Sequence, residues 1–342
     1  MSDFASLLKD FQAATRSSVA PALIKSTKRP RSPSTNDVIC PPRRVFQKPT
    51  VAVDFLCIGA QKAGTTWLYE MLRRLPQVGL PKSKEVHFWD WNRHKGLGWY
   101  CKQFPRGKDL VLGEITPCYM ALKKHHVQEI HDLFPSARII FLARDLVDRA
   151  WSALTMELRN QARGLQPGEF DEDYSHMDAT KRNKLIRDSN PDTYNDEYFM
   201  SQLTSRTHTD RSDYAVGLSK FLALFPKDQI LVLNFQDISE HPKELLISVL
   251  QHIGMVDALA AVESLSACDF EQRVNTSIVQ NQLIRPSLRR KMEKYLRPRA
   301  IEFNQLLQKH WPELTWRLDE YAPPNLSGRQ LEEAIDKKVS QV

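Results

Sequence analysis

Val53-Asp54-Phe55-Leu56-Cys57-Ile58-Gly59, continued by Ala60-Gln61-Lys62-Ala63-Gly64-Thr65-Thr66 and then Trp67-Leu68-Tyr69-Glu70-Met71-Leu72, is the stretch on which the fold turns. An apolar run, a turn holding two glycines and a helical pattern form a strand-loop-helix unit. Backbone N–H groups at such a helix start bind phosphate, and Gly59 and Gly64 let the main chain come close. The loop departs from the usual G-x-x-x-x-G-K-[ST] pattern: Thr65 holds the lysine position, and Lys62 stands three residues earlier. Taken alone, the motif also fits a plain strand-to-helix turn.

The same alternation continues outward. VAVDFLCIG (51–59), LVLGEIT (110–116), RIIFLAR (138–144) and QILVLNF (229–235) read as strands. Residues 66–75, 123–134, 146–158, 214–225 and 242–254 read as helices, and a last helical block runs from about Pro286 to His310. Asp145 and Asp148 are spaced like an N-cap and its N3 partner, and Gly254 closes its helix. Alternating units of this kind predict an α/β fold, a P-loop-type parallel sheet with helices on both faces. The polar stretch 160–209 is either a cover for a binding site or a long surface loop.

Composition sets limits. The chain of 342 residues is 42% hydrophobic, enough for one large core. Its net charge of +7 is concentrated at the start: residues 1–50 carry 9 Lys/Arg against 3 Asp/Glu, and the rest carries 39 against 38. A nearly neutral body argues against nucleic acid as its partner. Residues 1–49, rich in Pro, Ser, Lys and Arg after residue 15, read as a disordered basic tail, 50–325 as the folded domain and 326–342 as a C-terminal tail. Cys40, Cys57, Cys101, Cys118 and Cys268 show no paired spacing, so neither zinc nor a disulfide framework is expected. No window is long and apolar enough to span a bilayer, and no leader pattern opens the sequence. The expectation is a soluble cytoplasmic protein, with KRPR (28–31) as a possible nuclear signal.

Two further segments carry chemistry. PKSKEVHFWDWNRHKGLGWY (81–100) sets Lys82, Lys84, Glu85 and His87 among Phe88, Trp89, Trp91, Trp99 and Tyr100, a mixture typical of a cleft. In RIIFLARDLVDRAWSAL, Arg144 ends a strand, where ligands of open α/β sheets bind, and Ser152 follows eight residues later.

Together with GAQKAGTTWL (59–68), these segments resemble the sulfotransferases that use 3'-phosphoadenosine 5'-phosphosulfate (PAPS), most closely the heparan sulfate group. GEITPCYM (113–120) and RSDYAVGLSKFLALFPKDQILVLNFQDISEHP (211–242) extend the similarity over most of residues 52–255. Beyond 255 it thins to RVNTS (273–277) and RPSLRRKMEKYLRP (285–298).

The resemblance implies roles. Lys62 would neutralise the oxygen left as the sulfuryl group departs. Ala63, Gly64, Thr65, Thr66 and Trp67 would surround the 5'-phosphate, and Arg144 with Ser152 would hold the 3'-phosphate. Glu85 would be the general base for an acceptor hydroxyl or amine, with His87 as competitor. The aromatics should raise the Glu85 pKa while Lys82 and Lys84 lower it. No metal is expected, because a sulfuryl group carries less charge than a phosphoryl group. The acceptor is a small molecule or a carbohydrate. The rival readings are a P-loop kinase using Asp145 for magnesium and a catalytically inactive nucleotide-binding scaffold.

Overall fold

The computed structural model describes residues 49–165, 178–266, 269–270 and 283–314. The tail 1–49, apart from its last residue, the segment 326–342 and RVNTS lie outside the described residues. Five parallel strands form one sheet: β1 (Phe55–Gly59), β2 (Val78–Gly79), β3 (Val111–Ile115), β4 (Arg138–Ala143) and β5 (Ile230–Asn234), in the order β2-β3-β1-β4-β5. The expected fold class is the observed one. Buried side chains fill every position of β1 and all but the first of β4, as expected for strands covered on both faces. Gly113 in β3 pairs with Phe55, whose ring would lie 2.3 Å from any Cβ added there.

Among the described residues nine longer helices accompany the sheet: α1 (Thr65–Leu72), α2 (Lys124–Leu133), α3 (Leu146–Ala162), α4 (Ala179–Asp188), α5 (Asp196–Leu203), α6 (Arg206–Ser212), α7 (Tyr214–Leu222), α8 (Pro242–His252) and α9 (Pro286–His310). The start of α3 is set as its sequence predicts: Asp145 Oδ1 accepts from the Asp148 N–H at 2.9 Å. That bond gives one of the two Asp145 carboxylate oxygens a structural role as a helix cap. Helix α9 buries Leu288, Met292, Leu296, Ala300, Phe303 and Leu307, one stripe at three- and four-residue spacing. Phe303 meets Phe141 of β4 and Tyr214 of α7 edge-on, at 6.2 and 5.1 Å between ring centroids.

The polar stretch 160–209 is not a simple surface loop. Its described parts form α4, α5 and most of α6, and Phe199 and Leu203 are fully buried. Trp151 of α3 packs edge-on against Phe199 at 5.2 Å, and Arg285 pairs with Asp196. Polarity there reflects exposed helix faces around a few apolar anchors.

The chain winds from β1 toward β3 on one side and places β4 on the other. The carboxyl ends of β1 and β4 therefore flank the position where ligands bind in open sheets of this type. The register of β1 against β4 slips between Cys57 and Gly59, and the Ala60 N–H still reaches Leu142 O at 2.9 Å. This irregularity turns the chain out of the sheet into the loop 60–64.

Candidate active site

The loop is backbone-built. Lys62 and Gly64 both adopt left-handed conformations, with φ 64° and 81°. The φ of Gly64 strains any residue with a side chain, and an added Cβ would also push on Ile238 Cδ1, 2.1 Å away. Helix α1 begins at the next residue with no side-chain cap and no acidic residue in its first turn, so no side-chain acceptor or charge of its own first turn offsets its positive end. Ala63, Thr65 and Trp67 are buried, and Thr66 is partly exposed.

Arg144 joins this loop to β4. Its Nη1 donates to Lys62 O at 2.7 Å, and its guanidinium lies 4.5 Å from the centre of the Phe235 ring. Burial pushes its pKa down, opposed by Asp148, Tyr214 and Asp145. The Tyr214 hydroxyl donates to Arg144 O at 3.2 Å, fixing the strand end from the other side. Ser152 is half-buried on the second turn of α3, eight residues on.

The segment 84–92 gathers charge. Lys84 Nζ is paired with Glu85 Oε1. His87 Nε2 lies 3.3 Å from Glu85 Oε2 and its Nδ1 lies 2.8 Å from Asp90 Oδ2, while its ring stacks on Trp91 at 3.7 Å. Glu85 and His87 both hold positive φ, at 65° and 51°. Such conformations cost about 1–3 kcal/mol each and concentrate at working sites. A single π-type turn over Phe88–Asn92 follows, tied by Asn92 Nδ2 donating to Val86 O at 2.9 Å.

The two titrations are coupled. Burial pushes Glu85 up, but Lys84 and His87 outweigh it and hold the carboxyl at about 2. Burial pushes His87 down, but its bonds to Asp90 and Glu85 carry it to about 9. Lys82 is exposed, and the lysine paired with Glu85 is Lys84, correcting the expectation that both act on it.

Glu114 lies beneath this segment and was not singled out by its sequence context. It is 1% exposed and accepts from three hydroxyls: Tyr100 at 2.6 Å, Thr116 at 2.9 Å and Tyr119 at 3.1 Å. The Tyr119 oxygen also accepts from the Phe88 N–H at 2.8 Å. The network therefore fixes the start of the π-type turn. Burial outweighs the three hydroxyls and raises Glu114 to about 7.

Arg211 of α6 is the other residue that sequence reading missed. Its Nη1 donates to Gln61 Oε1 at 3.0 Å and its Nη2 to Cys118 Sγ at 3.5 Å. Cys118 in turn belongs to a group with His87 and Asp90 whose ligand atoms lie within 4.8 Å of one another. Arg211 thus bridges the phosphate loop and the segment of Glu85. Among the described residues this group is the one candidate for holding a metal ion. His87 Nδ1 already faces Asp90, and burial pushes the Cys118 thiol up to about 11.

These pKa shifts have a sign. His87 and Glu114 both have folded values above their ordinary ones. The stability each contributes is complete below its ordinary pKa and lost as pH rises through about 9 and about 7, respectively. Thermal midpoints should therefore fall from about pH 4.5 to 9, through Glu114 up to about 7 and through His87 from 6.5 to about 9. In His87→Asn the decline above about pH 7 should disappear; an unchanged profile would mean that His87 is not held protonated.

The fold is a parallel α/β sheet with a glycine-bearing loop at the carboxyl end of its central strand β1. The profile of the sulfotransferase domain family matches residues 52–303, and the chain belongs to that family. It is 23% identical over 256 residues to the membrane-associated sulfotransferase kil1 of Dictyostelium discoideum, covering 56% of this chain and 54% of that protein. With the bifunctional heparan sulfate N-deacetylase/N-sulfotransferase 4 of Mus musculus it is 27% identical over 213 residues, 59% of this chain and 22% of the relative. With the heparan sulfate glucosamine 3-O-sulfotransferase 6 of Homo sapiens it is 34% identical over 128 residues, 37% of this chain and 35% of the relative. The chain thus spans about half or less of the length of these relatives. A sulfotransferase from Alicyclobacillus acidocaldarius shares the fold, with a TM-score of 0.52 at 17% identity, covering 75% of this chain and 96% of that one.

These relatives overturn the cytoplasmic assignment. Among the described residues no helix is long and apolar enough to cross a membrane. One of the relatives is named as membrane-associated, so the lack of a spanning helix among the described residues does not support a cytoplasmic reading.

Proposed function

We propose that the chain transfers a sulfuryl group from PAPS to an acceptor hydroxyl or amine, with Glu85 as general base. The observation that carries this reading is convergence. The loop holding Lys62, the strand end holding Arg144 and the segment holding Glu85 are joined by Arg144 to Lys62 O and by Arg211 to Gln61 and Cys118. Lys62 through Trp67 would take the 5'-phosphosulfate and Arg144 with Ser152 the 3'-phosphate. The uncapped positive end of α1 and the Arg144 guanidinium joined to its loop suit a ligand with two anionic groups.

Between the two candidate bases the hydrogen bonds favour Glu85. His87 directs both ring nitrogens at carboxylates, so as an imidazolium it has donors only and no lone pair for a proton. Glu85 is ionised and able to accept, though Lys84 and His87 weaken it as a base. The sulfonate of PAPS would draw Lys84 away and make Glu85 more basic when the acceptor is present. His87 then steadies the carboxylate. Transfer in this scheme needs no metal.

The acceptor is best read as a carbohydrate, because two of the relatives described above are named for heparan sulfate; a small-molecule acceptor remains the alternative. The domain proposed to do this work is 50–325, with tails at 1–49 and 326–342.

Arg144→Ala should weaken PAPS and adenosine 3',5'-bisphosphate by about 1.5–3 kcal/mol through loss of charged hydrogen bonds, leaving 5'-AMP nearly unchanged. Calorimetric titration of the three nucleotides measures this. Equal losses for all three would remove the 3'-phosphate assignment.

A further inference from the structure

Arg149 of α3 is an unusual residue to find where it is. It is 0% exposed, and its Nε and Nη1 have no hydrogen-bond partner among the described residues. Only Nη2 is engaged, donating to Ser212 Oγ of α6 at 2.8 Å, and that hydroxyl is itself oriented by donating to His208 O at 2.7 Å. No carboxylate pairs with it among the ion pairs of the described residues, which most buried arginines require.

Its electrostatic surroundings make matters worse. Arg144 stands five residues earlier and Arg211 is the chain neighbour of Ser212, the residue Arg149 bonds. Burial lowers the Arg149 pKa; Arg211 and Arg144 lower it further, while Tyr214 and Glu157 offset part of this. Arg211 for its part bonds an amide oxygen and a thiol that burial keeps neutral. The guanidinium groups of Arg144, just after β4, and of Arg211 on α6 thus both act on Arg149 of α3, which is the most buried of the three and has two donors to spare.

We infer that Arg149 is a positioning residue for the bound nucleotide, a buried cation whose charge is offset when the phosphate held by Arg144 arrives. This rests on the reading of Arg144 as the 3'-phosphate site. An uncompensated buried charge destabilises the empty protein, and a ligand that neutralises it gains what the empty protein lost. Arg149 therefore makes nucleotide binding tighter at the cost of stability in the empty state.

The test uses the full chain with adenosine 3',5'-bisphosphate and 5'-AMP, reading calorimetric affinity and thermal midpoints. Arg149→Met keeps the length and removes the charge, while Arg149→Lys keeps a charge with fewer donors. Arg149→Met should weaken the bisphosphate about tenfold or more and 5'-AMP less than about threefold, through loss of a charge acting on the extra phosphate. Its midpoint without ligand should equal or exceed the parent's, and the rise on adding bisphosphate should shrink. Arg149→Lys should recover part of the lost selectivity.

A merely structural Arg149 would show otherwise: a lower midpoint without ligand and equal weakening of both nucleotides, or no change in either. Either result, or failure of both variants to fold, overturns the inference. Arg144→Ala separates this from failure of the underlying reading. If Arg144→Ala leaves selectivity for the bisphosphate intact, the 3'-phosphate site itself is wrong; if it abolishes selectivity while Arg149→Met does not, only the role of Arg149 falls.

Discussion

Glu85→Gln should lower kcat by about 10² to 10⁴ with the true acceptor, the usual range for removing a general base. The amide preserves size and can still meet Lys84 and His87, so nucleotide affinity should barely move. What is lost is a carboxylate able to take the acceptor's proton as the new S–O or S–N bond forms. His87→Ala is the control. It removes the imidazolium that holds Glu85 down, leaving the base in place and more basic, so its loss of turnover should be the smaller of the two. Near-normal turnover in Glu85→Gln with none in His87→Ala would make His87 the base.

The second large effect is expected at Lys62. Its left-handed backbone and the Arg144 bond to its carbonyl hold the residue inside the curve of the loop. There its ammonium would meet the oxygen bridging phosphate and sulfuryl group both before and during transfer. Lys62→Ala should therefore lower kcat by about 10² to 10³, as for loss of one preorganised group facing transition-state charge, and raise the dissociation constant for PAPS as well. The carbonyl that Arg144 uses is backbone and survives the change, so the loop should keep its shape. A loss confined to binding, with kcat untouched, would show that Lys62 holds the cofactor without assisting departure.

Much of this architecture is legible in the sequence because local and global signals agree. β1 is an apolar run, β4 and β5 are apolar runs but for Arg138 at the start of one and Asn234 at the end of the other, Asp145 caps α3 as its spacing says, and α9 spans the predicted Pro286–His310. What escaped has physical reasons. β2 is two residues long, too short for any periodicity. The helices between 179 and 212 are anchored by single residues such as Phe199, with too few apolar positions to show a stripe.

The missed site residues escaped for another reason. Glu114 looks like one polar residue in a strand, and its hydroxyl partners come from 100, 116 and 119. Arg211 lies 150 residues from Gln61 in sequence, and no local pattern announces that contact. By contrast Lys62, Glu85 and Arg144 stood out because their neighbours in sequence already mark the loop, the aromatic segment and the strand end.

The kinase alternative assigns magnesium to Asp145, whose Oδ1 caps α3, and it predicts ATP binding that depends on the metal. An inactive scaffold would still bind nucleotide, and turnover with Glu85 intact separates it from the enzyme. The most direct test of the central claim is calorimetric titration of the full chain with adenosine 3',5'-bisphosphate and with ATP, each with and without magnesium. The bisphosphate should bind in the low-micromolar range or tighter, about 8 kcal/mol or more, indifferent to magnesium, with ATP far weaker. Magnesium-dependent ATP binding with no heat from the bisphosphate would contradict the account.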